Sequence, residues 1–245
     1  MDLIRFYSDS ITRPVSYLGG QESHHLAAVL RLQKGGKVEL FDGKGSLAVG
    51  VISEANSRRV TVEIQELNVF QRPGRFQIII ASSVAKGSRF DELITKCTEL
   101  GVDRITPLIF SRTVKQPKNP EISTRWGKLA VSAAKQSKNL FLPQIDNPVT
   151  LEKALNNFKT DYANPQILFG SLEQKTESLI EKMIDSPACV AIIGPEGGIT
   201  QEERNLLKDC SALPVKITDS ILRVETAALA FAAILAAGRL YTRVV

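Results

Sequence analysis

Charged and apolar residues alternate through Lys37-Val38-Glu39-Leu40-Phe41, so that every second side chain suits a buried sheet face. Asp42-Gly43 follows as a turn, because glycine accepts the left-handed backbone that tight hairpins need. The alternation returns in Ser46 to Glu54 and in Arg59 to Glu66, separated by the polar Asn56-Ser57-Arg58. One short helix, Glu22 to Leu30, precedes these strands and stops before Lys34-Gly35-Gly36. Residues 1–72 are thus expected to form a small β-rich module, a barrel, with Gln71-Arg72-Pro73-Gly74 as the way out of it.

Beyond that linker the period changes. Phe76 to Ala81 is a nearly continuous apolar run, as in a strand buried on both faces. Arg89 to Leu100 predicts a helix closed by Gly101, followed by a strand at Ile105 to Phe110 and a helix at Trp126 to Ser137. Then come a strand at Gln166 to Phe169, a helix at Thr176 to Ile184 and a strand at Cys189 to Ile193. A helix at Gln201 to Leu207 and a strand at Val215 to Thr218 extend the series. Strands alternating with helices imply a parallel sheet covered on both faces, an α/β domain over 73–245. The last element, Glu225 to Ala237, is so rich in alanine that its faces differ little, which suits packing against another helix or another subunit.

Composition narrows the classes. The 245 residues are 43% apolar and 23% charged, enough for two soluble domains with real cores. The longest apolar candidate, Ala227 to Ala237, is too short to span a bilayer and is interrupted by Gly238-Arg239. The start, MDLIRFYSDS, lacks the basic and apolar regions of a signal peptide, so a cytoplasmic protein is expected. Cys97, Cys189 and Cys210 lie far apart with no metal-like spacing and read as reduced packing thiols. The net charge of +5 is concentrated: residues 1–75 carry +2, 76–150 carry +5 and 151–245 carry −2. Such a middle third suits a polyanion, or is a solvated basic face.

The chemistry is concentrated at Ile193-Gly194-Pro195-Glu196-Gly197-Gly198. This glycine loop ends a strand, and Thr200 with Glu203 three residues on forms a capping box that starts the next helix. Open parallel sheets bind ligands at this end. Yet no lysine follows the glycines, as a phosphate-cradling loop requires, and the dinucleotide spacing is absent. A carboxylate at Glu196 would repel phosphate, which leaves a ligand without phosphate such as S-adenosylmethionine, or a turn that needs glycine for its shape alone.

Together with Ser220 to Ala230 (SILRVETAALA), the loop resembles the signature of the RsmE-type family. That family consists of ribosomal RNA small-subunit methyltransferases of the SPOUT superfamily, acting on N3 of a uridine in 16S rRNA. Residues 24–32 (HHLAAVLRL) and 40–45 (LFDGKG) resemble its N-terminal PUA-like domain; 96–108 and 125–137 resemble parts of its catalytic domain. The resemblance implies a PUA-like barrel followed by a SPOUT domain with a deep C-terminal trefoil knot, a rare exception to chain-threading rules. It also implies a homodimer, with S-adenosylmethionine held by three loops. Here those loops are Leu168-Phe169-Gly170-Ser171, Ile193 to Gly198, and the stretch holding Ile217, Thr218, Ser220, Leu222 and Arg223. Two departures stand out. Lys135-Gln136 and Asn139 replace a Glu-Gln and arginine in the second helix, and Thr218 and Ser220 replace glycine and arginine before the signature.

Uridine N3 must lose a proton before its lone pair can attack a methyl group, so positive charge near the uracil oxygens would help. Arg223 is the candidate for that role, through its two-pronged guanidinium, the alternative being a salt bridge to Glu225 or Glu196. Glu225 is expected to orient Arg223, to stabilise a helix start or to take the proton. His24 and His25, adjacent and about 100° apart on a helix, do not make a metal site. With Arg31 they are candidates for phosphate or base contact, or for structural roles. Lys86, Arg89, Arg112 and Lys115 are candidate phosphate contacts, whereas Lys128, Lys135 and Lys138 suit a solvated helix face. Two other classes stay open: a SPOUT methyltransferase acting on a ribose 2′-hydroxyl or another base, and a non-catalytic RNA-binding assembly factor.

Overall fold

A computed structural model of the chain describes residues 3–72, 76–85, 87–113, 122–173, 176–182 and 186–240. The chain divides into two units, one of Met1–Pro73 with Val131–Leu142 and one of Gly74–Ala130 with Pro143–Val245.

The N-terminal unit holds β1 (Arg5–Tyr7), β2 (Val15–Gly19), α1 (Gly20–His24), β3 (Lys37–Phe41), β4 (Ser46–Ala55) and β5 (Arg59–Val69). They form one sheet in the order β1-β3-β4-β5-β2. The sheet curls: the Ser8 hydroxyl after β1 donates to the Tyr17 carbonyl of β2, 3.2 Å away, so the two edge strands meet. Phe6, Leu18, Leu26, Val38, Leu40 and Val60 fill its inside and are fully buried. The expected turn at Asp42 is present, its carboxylate accepting from the Lys44 and Ser46 amides at 2.8 and 2.9 Å. Burial of the Asp42 carboxylate would raise its pKa, but these hydrogen bonds prevail and hold it low.

The helix expected at Glu22 to Leu30 is divided. After α1 the chain widens into a π-helical turn, His25–Val29, and stops at Arg31, whose φ of 53° is left-handed. Segment 131–142 packs on this sheet. Arg5 donates to the Lys138 carbonyl at 2.7 Å, and Lys135 reaches both Glu22 oxygens at 2.8 and 2.9 Å. Lys135 and Lys138, expected on a solvated face, are therefore engaged; Lys138 also reaches Glu39 at 3.4 Å.

The C-terminal unit begins with β6 (Gln77–Ser83), α2 (Arg89–Glu99), β7 (Arg104–Ile109) and α3 (Ile122–Ser137), whose last turns belong to the N-terminal unit. Next are β8 (Gln144–Ile145), β9 (Val149–Thr150), α4 (Leu151–Asp161), β10 (Gln166–Gly170) and α5 (Leu179–Lys182). The chain then forms β11 (Ala188–Ile193), α6 (Gln201–Asp209), β12 (Leu213–Val215) and α7 (Val224–Leu240). All pairings are parallel, in the order β12-β10-β11-β6-β7-β8 with β9 also on β7. Strands β6 and β11 run through the middle, which explains their unbroken apolar composition. Gly101 closes α2 with a φ of 72°, as expected of a C′ glycine.

Two expected elements differ. The helix predicted over Thr176 to Ile184 is confined, among the described residues, to Leu179–Lys182. Backbone groups at 177 and 179 are instead paired with Lys216, at 3.0 and 2.9 Å. The strand predicted at Val215 to Thr218 lies earlier, at Leu213–Val215, because Lys216 is diverted to that bridge and the chain then turns into a loop. Pro214 is tolerated because β12 is an edge.

Helix α7 packs against α2 and lies over β6 and β11. Its far end is fastened by Arg239, which donates to Asp103 Oδ2 and to the Gly101 carbonyl, both at 2.8 Å. The same carboxylate oxygen accepts from the Ile78 amide at 2.7 Å, so one buried ion pair ties α7 to the first strand of the sheet. Cys97 and Cys189 are buried, and burial pushes each thiol up to about 12. No described helix is long and apolar enough to cross a membrane.

A candidate cofactor pocket and active site

Because the strands are parallel, the carboxyl ends of β10, β11 and β12 open on the same side. The loops that leave them surround a cavity of about 420 Å³, within the usual range for small-molecule sites. Helix α7 supplies a wall through Val224, Ala227 and Phe231, whose spacing of three and four places them on one face.

The glycine loop is held from several directions. Thr200 and Glu203 form the expected capping box. Glu203 Oε2 accepts from the Thr200 amide at 2.8 Å, and its Oε1 from the Ser111 amide at 2.7 Å. One carboxylate thus fixes both the start of α6 and the turn after β7. Arg112 Nη1 donates to the Gly197 carbonyl at 2.8 Å. Glycine is needed at 194, where a Cβ would stand 2.7 Å from Ile199 Cγ1, and a Cβ on Gly197 would be tight against Arg112 Cβ at 3.2 Å.

Burial would raise the Glu203 pKa, but its backbone and side-chain hydrogen bonds from Ser111 and Thr200 outweigh that and lower it. A lowered folded-state value stabilises the fold above the unfolded value, about 4.3, and that contribution disappears as pH falls through the folded value. Glu203→Gln is expected to cost about 1–3 kcal/mol near neutral pH, with the difference from wild type shrinking below about pH 4. Urea denaturation at pH 7 and pH 3.5 measures both; an equal loss at the two values would contradict the assignment.

The lining has little charge free for a phosphate. Glu196 projects from the loop, but its carboxylate is met by Arg89, Nη1 to Oε1 at 2.8 Å. At the rim Arg204 is paired with Glu173, and Lys216 with Asp219 at 2.8 Å. What remains is apolar side chains, loop backbone and the hydroxyl residues Ser171, Thr218 and Ser220, which suits a nucleoside-bearing ligand without phosphate.

The structure brings most of the expected cofactor residues together. Phe169, Gly170 and Ser171 line the first side; Ile193, Gly194, Pro195, Glu196 and Gly198 the second; Ile217, Thr218, Ser220 and Leu222 the third. Leu168, Gly197 and Arg223 do not line it. Leu168 is fully buried, Gly197 lies against Arg112, and Arg223 is exposed between the lining residues Leu222 and Val224. Phe231 and Ala227 were not among the expected residues, although their spacing along the alanine-rich helix is visible in the sequence.

Glu225, in the first turn of α7, is buried. Its Oε1 lies 3.8 Å from Arg89 Nε, and its buried Oε2 has no hydrogen-bond partner among the described residues. The guanidinium that both Glu196 and Glu225 face is therefore Arg89. Of the other expected contacts, His24 and Arg31 are exposed, His25 stands edge-on to the Phe6 ring at 6.1 Å, and Arg112 is exposed beside the glycine loop. Lys86 and Lys115 lie outside the described residues. Among the described residues no group of three or more potential ligands could hold a metal ion.

The family model for an RNA methyltransferase domain matches residues 72–236, and that for an RNA methyltransferase PUA domain matches residues 18–65. Ribosomal RNA small subunit methyltransferase E from a Synechocystis strain is 31% identical over 211 residues, covering 83% of this chain and 67% of that protein. A putative methyltransferase from Legionella pneumophila, solved with its bound cofactor SAM, superposes with a TM-score of 0.87 at 26% identity, over 97% of this chain and 98% of the other. Ribosomal RNA small subunit methyltransferase E from Neisseria gonorrhoeae, bound to S-adenosyl methionine, superposes with a TM-score of 0.86 at 27% identity, over 96% and 97%.

Proposed function

Because this chain belongs to the RsmE-type family of ribosomal RNA small-subunit methyltransferases, we propose that it methylates N3 of one uridine in 16S rRNA, with S-adenosylmethionine as donor. The observation that carries this reading is the cavity at three strand ends, walled by apolar side chains, backbone and a few hydroxyl residues, with its rim cations already paired. When bound there, S-adenosylmethionine supplies a methyl group made electrophilic by its sulfonium. The chain contributes position and charge. The lining loops hold the adenosine and methionine parts, and α7 closes the apolar side. Arg223, exposed beside that wall, meets the negative charge that develops on the uracil oxygens as N3 gives up its proton to solvent water. Glu225, buried behind it, keeps the start of α7 in place.

His24, Arg31 and Arg112 hold the RNA in this reading, with Lys86 and Lys115 as further phosphate contacts. In this reading the C-terminal part of the chain carries the family's trefoil knot. The protein works in the cytoplasm as a homodimer; Ile221 and Leu240, 88% and 79% exposed, leave apolar surface beside and along α7 for the second copy. Mass spectrometry of 16S rRNA digests from a strain lacking the gene tests the reaction. One 3-methyluridine is expected to vanish and to return on complementation. An unchanged digest, or the loss of a ribose-methylated nucleotide instead, would refute it.

A further inference from the structure

We infer that Arg89 is a positioning residue of the donor site, holding the glycine loop at its working distance from α7, rather than a phosphate contact. The inference rests on the cofactor reading above. Arg89 is the first residue of α2, which packs against α7. Its Nη1 donates to Glu196 of the glycine loop at 2.8 Å, and its Nε lies 3.8 Å from Glu225 in the first turn of α7. Glu196 lines the cavity; Arg89 and Glu225 do not. The guanidinium is therefore a strut behind the cavity, joining two of the elements that build it.

Charge explains why the strut matters. Two carboxylates approach one cation, and among the described residues no other basic side chain forms an ion pair with either. Without Arg89 they would repel each other across the space it fills. Their freedom to respond is unequal. The Glu225 side chain is 11% exposed and anchored in a packed helix, whereas that of Glu196 is 47% exposed and sits on a loop. Glu196 would turn out to water and draw the Pro195-Glu196 tip with it from the cavity wall, while Arg112 and Glu203 keep the rest of the loop in place. A lysine would keep the charge but offers a point ammonium where a fork spans two acceptors.

Isothermal titration of S-adenosylmethionine and of a substrate RNA fragment, each separately, into purified wild type and variants tests this. Arg89→Ala is expected to weaken donor binding about tenfold while RNA affinity and its salt dependence stay at the wild-type value. Arg89→Lys should fall between. Adding Glu196→Gln to Arg89→Ala removes the repulsion and should recover most of the lost donor affinity. Should Arg89→Ala not fold, the Lys variant carries the test through weakened donor binding at unchanged RNA affinity. Wild-type donor affinity in Arg89→Ala and Arg89→Lys, or weakened RNA binding with a shallower salt slope, overturns the inference alone. So does a double variant no better than Arg89→Ala. A wild-type protein that takes up no S-adenosylmethionine overturns the cofactor reading and this inference with it.

Discussion

Arg223→Ala is expected to lower kcat by about 10²–10³ while leaving the affinity for S-adenosylmethionine within about twofold of wild type. The two halves have separate reasons. Arg223 does not line the cavity, so its loss removes no donor contact. It is exposed directly beside two residues that do, where a guanidinium can meet charge on an incoming base. An interaction formed only as that charge develops affects turnover and not ground-state binding. Single-turnover methylation of the RNA, with donor affinity measured separately, distinguishes the two. Arg223→Lys should recover part of the rate, since it restores the charge without the fork. An alanine variant with wild-type turnover would remove Arg223 from the reaction.

The largest stability effect is expected from Asp103→Ala. The Asp103 and Arg239 side chains are 4% and 10% exposed, and the same carboxylate oxygen accepts from the Ile78 amide. Truncation leaves a guanidinium buried without its counter-ion and an inner-strand amide without its acceptor. Breaking a buried pair from one side costs about 3–5 kcal/mol. At about 2–4 °C per kcal/mol for a chain of this size, Tm should fall by about 10 °C. Lys96→Ala is the contrast: its partner Glu99 is three residues away on the same helix and both are partly solvated, so the loss should stay below about 1 kcal/mol. If the two variants melt together, the buried pair is not what fastens α7.

Local chemistry was legible from the sequence wherever it was short in range. The alternating run Lys37–Phe41 appears as β3 with the expected ends, and Thr200 with Glu203 caps α6 as the spacing requires. Strand β1 has only three residues, too few to show a period, and its partner β3 begins more than thirty positions away. The elements read from the sequence do not include α4, although Leu151, Ala154, Leu155 and Phe158 carry the helical pattern and Thr150 caps it. In the candidate site, a glycine loop without lysine pointed to a phosphate-free ligand. The partner of Glu196 was not legible, because it comes from Arg89, 107 residues away, and only the packing of α2 beside α7 brings them together.

The sheet order has a consequence for synthesis of the chain. Strand β6 is flanked by β7, which follows it closely, and by β11, whose Ala188 pairs with Gln77. At typical translation rates the intervening residues take on the order of 5–20 s to emerge, and for that time one apolar edge of β6 has no neighbour. Long-range parallel pairing of this kind is slow to form and prone to association meanwhile. Yield of active protein should therefore depend on temperature and on chaperone supply during expression more than the stability of the finished fold would suggest.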